Sequence, residues 1–278
     1  MVSLLVALVA ALPLGAQPNA RELVRQSIRN GEQSWRESFN YFCTKEDVTR
    51  ELGSSGNVKS VDNNVYDVIP LGYSTSFDLL VKHDNEPILA AQRAREQKDL
   101  NRLRGESPGE KRARFDRAES DRSYMLEVPD AFDFRITGTA NLPTGPAWVV
   151  VATPHPGYQP KSRYARMFHA MQGTLWIDQK DLQWVKADAV AMSTVSFGFF
   201  IARLYKGSHI VLEQQKLPDG DWVAKSIQAR ASARLLLFFS HHFEEDITYS
   251  DYRKSSVVAG LGAARRTGVR RAARIQDR

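Results

Sequence analysis

The chain has 278 residues, of which 42% are hydrophobic and 25% charged, and its formal net charge is +6. These proportions are ordinary for a globular protein and exclude general disorder. Eight basic residues and one acid, Asp277, lie between Arg253 and Arg278, so this end carries +7 and the rest of the chain is close to neutral at −1. Because nucleic-acid-binding domains carry their basic surface on the folded part, this distribution argues against nucleic acid as a partner.

The chain begins with an apolar run from Leu4 to Leu12, followed by Pro-Leu-Gly-Ala at positions 13–16. Its length and ending are typical of a secretory signal peptide, with cleavage after Ala16, and it is too short to span a bilayer. No basic residue precedes the run, so the true start codon stays open, and a buried N-terminal helix is the alternative. No cysteine stands at the cleavage point, which predicts an exported protein without a lipid anchor.

The segment after the predicted cleavage site shows one helix and then strands. Residues from about Asn19 to Phe39 have apolar residues at helical spacing, and Asn19 is a suitable N-cap. Strand patterns follow at 41–52, 58–71 and 73–82, separated by Gly-, Asn- and Pro-containing turns. The only cysteine, Cys43, lies in the first strand beside Tyr41 and Phe42, which predicts a buried thiol without a chemical role.

A charged segment covers residues 88–124 and has the composition of a helical pair, or of one helix interrupted at Ser107-Pro108-Gly109. Polar residues occupy almost every face of the predicted helices. This pattern is typical of solvent-exposed helices that are supported by ion pairs between residues one turn apart. Acids and bases alternate along it, which disfavours nucleic-acid binding here as well.

Strand patterns return after Ala131 and continue nearly to the basic end. They cover 132–140, 147–153, 174–178, 182–192, 197–205, 209–217, 222–232, 235–243 and 246–252, with a short helix at 162–171. Pro218-Asp219-Gly220 marks a hairpin. Short connections make neighbouring strands antiparallel. The sequence therefore predicts a mainly-β α+β domain at 17–254, with one large antiparallel sheet partly covered by helices and no internal domain boundary.

No residue pattern in the chain supports catalysis. His241 and His242, followed by three acids, resemble a metal cluster at first, but neighbours on a strand point to opposite faces. Asp178 and Asp181 flank a turn, where aspartate is favoured for backbone hydrogen bonding. No nucleophile elbow or nucleotide-binding loop is present. We therefore expect neither an enzyme nor a metal or cofactor; a hydrolase using His241 or His242 with a nearby carboxylate is the enzymatic alternative.

Apolar and aromatic residues are the conspicuous feature of the second half. The run at 197–202 and the run at 235–239 predict strands buried on both faces. One explanation is a dry core completed by the N-terminal helix and the helix at 162–171. The other is a cavity that accepts an acyl chain. The predicted lining residues of that cavity are Trp176, Trp184, Phe197, Phe199, Phe200, Leu236 and Phe238.

A series of motifs in this half resembles one known superfamily. In order they are GTLWID at 173–178, WVKADAV at 184–190, LYKGSHIVLEQ at 204–214, PDGDWVAKSI at 218–227 and YSDYRK at 249–254. They resemble the periplasmic lipoprotein carriers LolA and LolB, lipoprotein-sorting-like envelope proteins and, more distantly, the sensor RseB. The similarity covers roughly 132–254. The charged segment at 88–124 is long for such a carrier, and the basic end has no counterpart.

This resemblance implies a curved, half-open antiparallel barrel with helices covering its concave side, in a periplasmic protein. It also implies a non-enzymatic protein that shelters the acyl chains of a lipid or lipoprotein. The alternative is an envelope sensor or scaffold that binds another protein, as RseB does. Residues 255–278 are predicted to be a disordered basic tail that can contact an anionic membrane surface. The arginines concerned are Arg265, Arg266, Arg270, Arg271 and Arg274.

Overall fold

The computed structural model describes residues 18–53, 55–197, 202–235 and 239–255. The predicted signal peptide lies outside these ranges, as does the predicted basic tail apart from Ser255. The helices are α1 (Ala20–Ser38), α2 (Ala90–Arg104), α3 (Pro108–Arg122) and α4 (Val128–Ala131), with 3₁₀ helices at Ser123–Glu127 and Tyr164–Ala170. The strands are β1 (Tyr41–Leu52), β2 (Val58–Gly72), β3 (Thr75–His83), β4 (Glu86–Pro87), β5 (Phe132–Leu142), β6 (Gly145–Pro154), β7 (Met171–Asp178), β8 (Trp184–Ala191), β9 (Val195–Phe197), β10 (Ala202–Leu204), β11 (His209–Lys216), β12 (Trp222–Leu235) and β13 (Phe239–Lys254).

All of these strands belong to one antiparallel sheet. Eleven follow the order β4-β3-β2-β1-β13-β12-β11-β8-β7-β6-β5, while β10 pairs with β12 and β9 with β10. Within the described residues β4 and β5 do not pair, so the sheet is not closed into a barrel. The predicted mainly-β α+β fold with one large antiparallel sheet is therefore confirmed.

The predicted N-terminal helix is present as α1. The side-chain oxygen of Asn19 accepts a hydrogen bond from the backbone N–H of Glu22 at 3.1 Å, which caps the helix as predicted. Leu23, Val24 and Ile28 lie on one side of α1 and are buried against the sheet. The apolar stripe of α1 thus forms a large part of the core.

Two helices occupy the charged segment. The first, α2, ends just before the predicted interruption at Ser107-Pro108-Gly109, and the second, α3, begins within it. Ser107 and Glu110 form a capping box that starts α3 directly before Pro108. Leu100 and Leu103 of α2 pack with Ile69 and Leu71 of β2, and Phe77 and Leu79 of β3 adjoin this cluster. These helices are therefore docked on the sheet by a few apolar side chains, while most of their polar residues are exposed. Among the described residues no helix is long and apolar enough to cross a bilayer.

The predicted helix at 162–171 is the second 3₁₀ helix. The buried carboxylate of Glu127 fixes the loop before it, accepting hydrogen bonds from the Tyr158 hydroxyl at 2.5 Å and from the backbone N–H groups of Lys161 and Ser162 at 2.8 and 3.0 Å. Burial opposes its charged form, but these donors outweigh burial and hold the pKa of Glu127 below its ordinary value.

The predicted hairpin at Pro218-Asp219-Gly220 joins β11 and β12, and Gly220 adopts a positive φ of 94° that favours glycine there. Asp219 and Asp221 of this turn accept hydrogen bonds from the Tyr41 hydroxyl at 2.5 and 2.6 Å. Lys254 lies 3.0 and 2.9 Å from the same two carboxylates. The start of β1, the end of β13 and the hairpin are thereby joined in one polar cluster.

Two strand predictions were wrong. The run at 197–205 is not one strand, because β9 ends at Phe197, β10 begins at Ala202, and the two pair antiparallel. Leu235 belongs to the end of β12, whereas β13 runs without a break from Phe239 to Lys254. The predicted interruption at Glu244-Glu245 does not occur because Glu244 pairs with Arg230 across the sheet, which accommodates the charge within a continuous strand.

Candidate binding site

An aliphatic row crosses the face of the sheet that lies under α1. We call this face the inner face. In register across seven strands lie Ile136, Val150, Leu175, Ala187, Leu212, Ile227 and Ile247. Directly paired residues of antiparallel strands lie on the same face, so these side chains form one row across the sheet. Val150 is fully buried in the cluster with α1, whereas Leu212, Ile227 and Ile247 are only half-buried.

At β1 the inner face changes from aliphatic to polar. Ile247 pairs with Asp47, and the next positions in register are Asn64 on β2 and His83 on β3. An elongated ligand lying along this line would thus meet hydrocarbon at one end and charge at the other.

The polar end is organised around Lys45. Its Nζ lies 3.2 Å from Oδ2 of Asp78, 3.8 Å from Oδ2 of Asp47 and 4.8 Å from the centroid of the Tyr66 ring. We call Lys45, Asp47, Tyr66, Asp78, Glu245 and Tyr249 the Lys45 cluster. Lys45 is directly paired with Tyr66 and Tyr249, which places the cluster on the inner face.

Burial and like charge perturb this cluster. Burial, with the neighbouring Asp47 carboxylate, raises the pKa of Glu245, and burial also raises the pKa of the Tyr249 hydroxyl. Three carboxylates accompany the single ammonium group of Lys45, so an added cation or hydrogen-bond donor would be favoured there. Cys43, on the neighbouring inner position of β1, is buried as predicted, and burial raises the pKa of its thiol to about 12.

The two tryptophans of the predicted cavity lie on opposite faces. The indole of Trp184 is covered by α1: a Cβ at Gly31 would lie 2.5 Å from its Nε1 atom. Trp176 alternates with Leu175 and Ile177, which pack towards α1, and therefore points to the outer face. There the Nζ atom of Lys186 lies 5.3 Å from its ring centroid. The structure thus does not bring Trp176 and Trp184 together.

The remaining predicted lining residues lie at the edge of the described chain. Phe197 is the last residue of β9, and only its backbone is described; Phe199, Phe200, Leu236 and Phe238 lie outside the described residues. Their neighbours are close, because Ala202 pairs both with Phe197 and with Leu235. The cavity role of these five residues stays a prediction.

A polar groove of about 360 Å³ crosses the outer face over β11, β12 and β13. Arg230 and Glu244 form an ion pair in it at 2.5 Å, and Asp246 is paired with Arg50 at 2.5 Å. At the margin of the groove, Nε2 of His209 lies 2.7 Å from Oδ1 of Asp188. Across the described residues no group of three or more His, Cys, Asp or Glu side chains is arranged to hold a metal ion.

The aliphatic row and the Lys45 cluster were not predicted from the sequence. Cys43, Lys45 and Asp47 occupy alternate positions, and this spacing indicates that two charged residues share a face with a buried thiol. Recognising the site also required the pairing of β1 with β13, which lies at the other end of the chain.

No family model matches the sequence, and no curated protein matches it. Among solved structures, a LolA superfamily protein from Nitrosomonas europaea is similar, with 12% identity, a TM-score of 0.32, and coverage of 81% of this chain and 93% of that chain. An outer membrane lipoprotein-sorting protein domain from Vibrio parahaemolyticus has 8% identity, a TM-score of 0.30, and coverage of 84% and 94%.

MucB, solved in complex with MucA(peri), has 8% identity and a TM-score of 0.23, with 84% of this chain and 99% of that chain covered. These proteins match the superfamily that the sequence resembles. At these TM-scores, what they bind does not extend to this chain.

Proposed function

We propose that the protein is a non-enzymatic binding protein that holds an acyl chain, carried by a lipid or a lipoprotein, on the inner face of its sheet. The observation that supports this most directly is the aliphatic row, which α1 buries at Val150 but which stays half-buried at Leu212, Ile227 and Ile247. Burying these side chains against hydrocarbon is favourable by about 25 cal/mol per Å² of apolar surface removed from water.

The transition from the aliphatic row to the Lys45 cluster suits an amphipathic ligand. The hydrocarbon would lie over Ile227 and Ile247, and the polar end would lie near Lys45 and Asp47. We include in the proposal export to the bacterial periplasm without a lipid anchor, directed by residues 1–16.

The test is native mass spectrometry, with solvent extraction, of the protein purified from the bacterial envelope without detergent. We expect an acyl lipid or lipopeptide at a defined ratio. Ile227→Asn should lower that ratio severalfold with a small loss of stability. Val150→Asn, in the same row but fully buried, should instead cost about 2–5 kcal/mol of unfolding free energy.

A matched control is Gln228→Asn, which changes the adjacent and exposed position on the outer face. It should leave the lipid ratio unchanged. The proposal fails if the wild-type protein carries no lipid and takes up none from vesicles, or if Ile227→Asn loses lipid only in proportion to its loss of folded protein.

The outer groove favours a second candidate function, that of a sensor or scaffold that binds another envelope protein. Its lining of paired charges around Arg230 and Glu244 is suited to a polar peptide segment rather than to hydrocarbon. Pull-downs with fully delipidated protein test this candidate. Capture that survives delipidation and is lost in Arg230→Glu supports it, and capture unaffected by Arg230→Glu argues against this groove.

A further inference from the structure

The second 3₁₀ helix has two chemically distinct rows. In a 3₁₀ helix side chains three residues apart lie above one another. Ala165 and Phe168 form one such row and are buried in the core with Phe132 and Met171. Arg163, which precedes the helix with helical backbone angles, Arg166 and His169 form another row and are exposed. The core contacts of the first row therefore fix the outward direction of the basic row.

The chain segments that form and adjoin this basic row are poor in acidic residues. Residues 134–177 include neither Asp nor Glu, and the same holds for residues 189–212, which contain β9 and β10. Within the described ranges, no carboxylate lies within 4 Å of the charged groups of Lys161, Arg163 or Arg166; ion pairs elsewhere join many of the arginines to acids. The acid nearest to them in the hydrogen-bond network, Glu127, is buried and binds the backbone N–H groups of Lys161 and Ser162, so these three basic side chains have no ion-pair partner among the described residues.

More basic positions adjoin the same region. β9 contacts the second 3₁₀ helix, and β9 pairs with β10. Arg203 on β10 and Arg234 on β12 occupy directly opposite register positions.

Exposed apolar residues accompany the basic ones. Tyr164 is 37% exposed, and the guanidinium of Arg163 lies 4.8 Å from its ring centroid. Leu126 is 57% exposed and adjoins Glu127, which binds the backbone of Lys161. Met192 is 45% exposed and donates its backbone N–H to Ala170 at the end of the helix. Basic residues interspersed with exposed aromatic and aliphatic ones are the combination found at the interface of anionic bilayers.

We propose that this surface, comprising Leu126, Lys161, Arg163, Tyr164, Arg166 and Met192, docks the folded domain on an anionic phospholipid bilayer. The guanidinium and ammonium groups would contact lipid phosphates, and the three apolar side chains would enter the headgroup region. This surface is separate from the predicted basic tail, and it does not depend on the acyl-chain site of the inner face.

The test is flotation of the full chain with phosphatidylcholine vesicles that contain or lack phosphatidylglycerol. We expect binding that requires phosphatidylglycerol and weakens as salt is added. Arg163→Glu combined with Arg166→Glu should lower partitioning about tenfold or more, since two attractive contacts become repulsive.

The matched control is Arg93→Glu combined with Arg95→Glu on α2, where both residues are exposed and carry no ion pair within the described chain. It changes the net charge equally and should alter partitioning by less than about threefold. Leu126→Ser should also weaken binding while leaving its salt dependence in place.

Equal losses in the two double variants would overturn the proposal, because binding would then follow net charge or the tail. Unchanged binding in Arg163→Glu, Arg166→Glu would overturn it too and leave the surface to a protein partner. If that variant does not fold, Arg163→Gln with Arg166→Gln is used, with a loss of about tenfold expected from the removal of two charges worth about 1 kcal/mol each. Lipid occupancy by native mass spectrometry should stay at the wild-type ratio, which separates this test from that of the acyl-chain site.

Discussion

The indole of Trp35 in α1 stacks on the ring of Phe115 in α3, with ring centroids 5.7 Å apart and an interplanar angle of 18°. The guanidinium carbon of Arg122 lies 4.7 Å from the centroid of the Trp35 ring, and the same guanidinium pairs with the buried carboxylate of Glu32 at 2.8 Å. A segment whose composition is almost entirely polar is thus attached to the core helix by one aromatic pair and two ion pairs, the second being that of Arg36 in α1 with Glu119 in α3 at 2.5 Å.

Phe115→Ala should lower the unfolding free energy by about 3–4 kcal/mol, because it removes a buried ring and leaves a cavity beside Trp35. Urea unfolding followed by tryptophan fluorescence measures the change. Phe39→Ala, at a half-buried ring that meets Trp35 edge-on at 5.2 Å, should cost less. A loss below about 1 kcal/mol for Phe115→Ala would show that α3 is not docked on α1 in solution.

Gly31→Ala should destabilise the protein by about 1–3 kcal/mol, because the added methyl group would collide with the indole of Trp184. Gly109→Ala in α3 is the matched control. Its Cβ would meet only the Ser107 hydroxyl oxygen at 4.0 Å, so it should be neutral or stabilise by up to about 1 kcal/mol.

A double-mutant cycle separates the steric clash from helix propensity. Trp184→Leu combined with Gly31→Ala should be more stable than the sum of the two single effects predicts, by about 1 kcal/mol or more. Additive effects would mean that the helix and Trp184 do not touch.

Glu127→Gln should lower the unfolding free energy by roughly 1–3 kcal/mol at neutral pH, since it weakens three hydrogen bonds to a buried group. The folded-state pKa of Glu127 lies below its ordinary value of 4.5. Its stabilising contribution is therefore fully present above about pH 4.5 and is lost as pH falls through the folded pKa. The difference between wild type and variant should shrink on acidification; a constant difference would contradict this.

Glu245→Gln should raise the unfolding free energy at pH 7, by a few tenths to about 1 kcal/mol. Burial and Asp47 raise the pKa of Glu245 above 4.5 in the folded state. Between pH 4.5 and the raised folded-state pKa, the folded state binds more protons than the unfolded state. The unfolding free energy of the wild type therefore falls as pH rises through this range. The variant should lack this fall.

Glu244→Gln is the control for that measurement, since the neighbouring residue lies on the outer face in an exposed pair with Arg230. It should change stability by less than about 0.5 kcal/mol. Destabilisation by Glu245→Gln at pH 7 would show that the carboxylate is held by an attractive partner.

Local signals predicted the elements whose causes are local. Asn19 caps α1, Ser107 and Glu110 restart the charged helices, and Gly220 permits the β11–β12 turn. The ends of strands were less predictable where acidic residues occur in the strand sequence. The sequence Glu244-Glu245 looks like a loop, but the sheet places Glu244 opposite Arg230 on the outer face and Glu245 on the inner face.

The candidate site was only partly predictable for a related reason. The two tryptophans around the β7–β8 turn look equivalent in sequence, but the register shifts between Trp176 and Ile177, and α1 covers only Trp184. Faces of long strands follow from register, and register depends on bulges and on partners far away in the chain. The inner aliphatic row joins residues from 136 to 247 and becomes visible only once seven strands are in place.

The pairing of β1 with β13 also governs how the molecule can be made. These two strands are the sole link in the described sheet between β4-β3-β2 on one side and the six-strand path from β12 to β5 on the other. The sheet therefore becomes continuous only when residues near 41 pair with residues near 254. Pairing between positions so far apart in the chain makes folding slow. A chain emerging from the ribosome cannot complete this architecture early, which keeps it unfolded for longer. The export that we propose requires such a delay, because an exported chain crosses the membrane as an extended polypeptide before it folds.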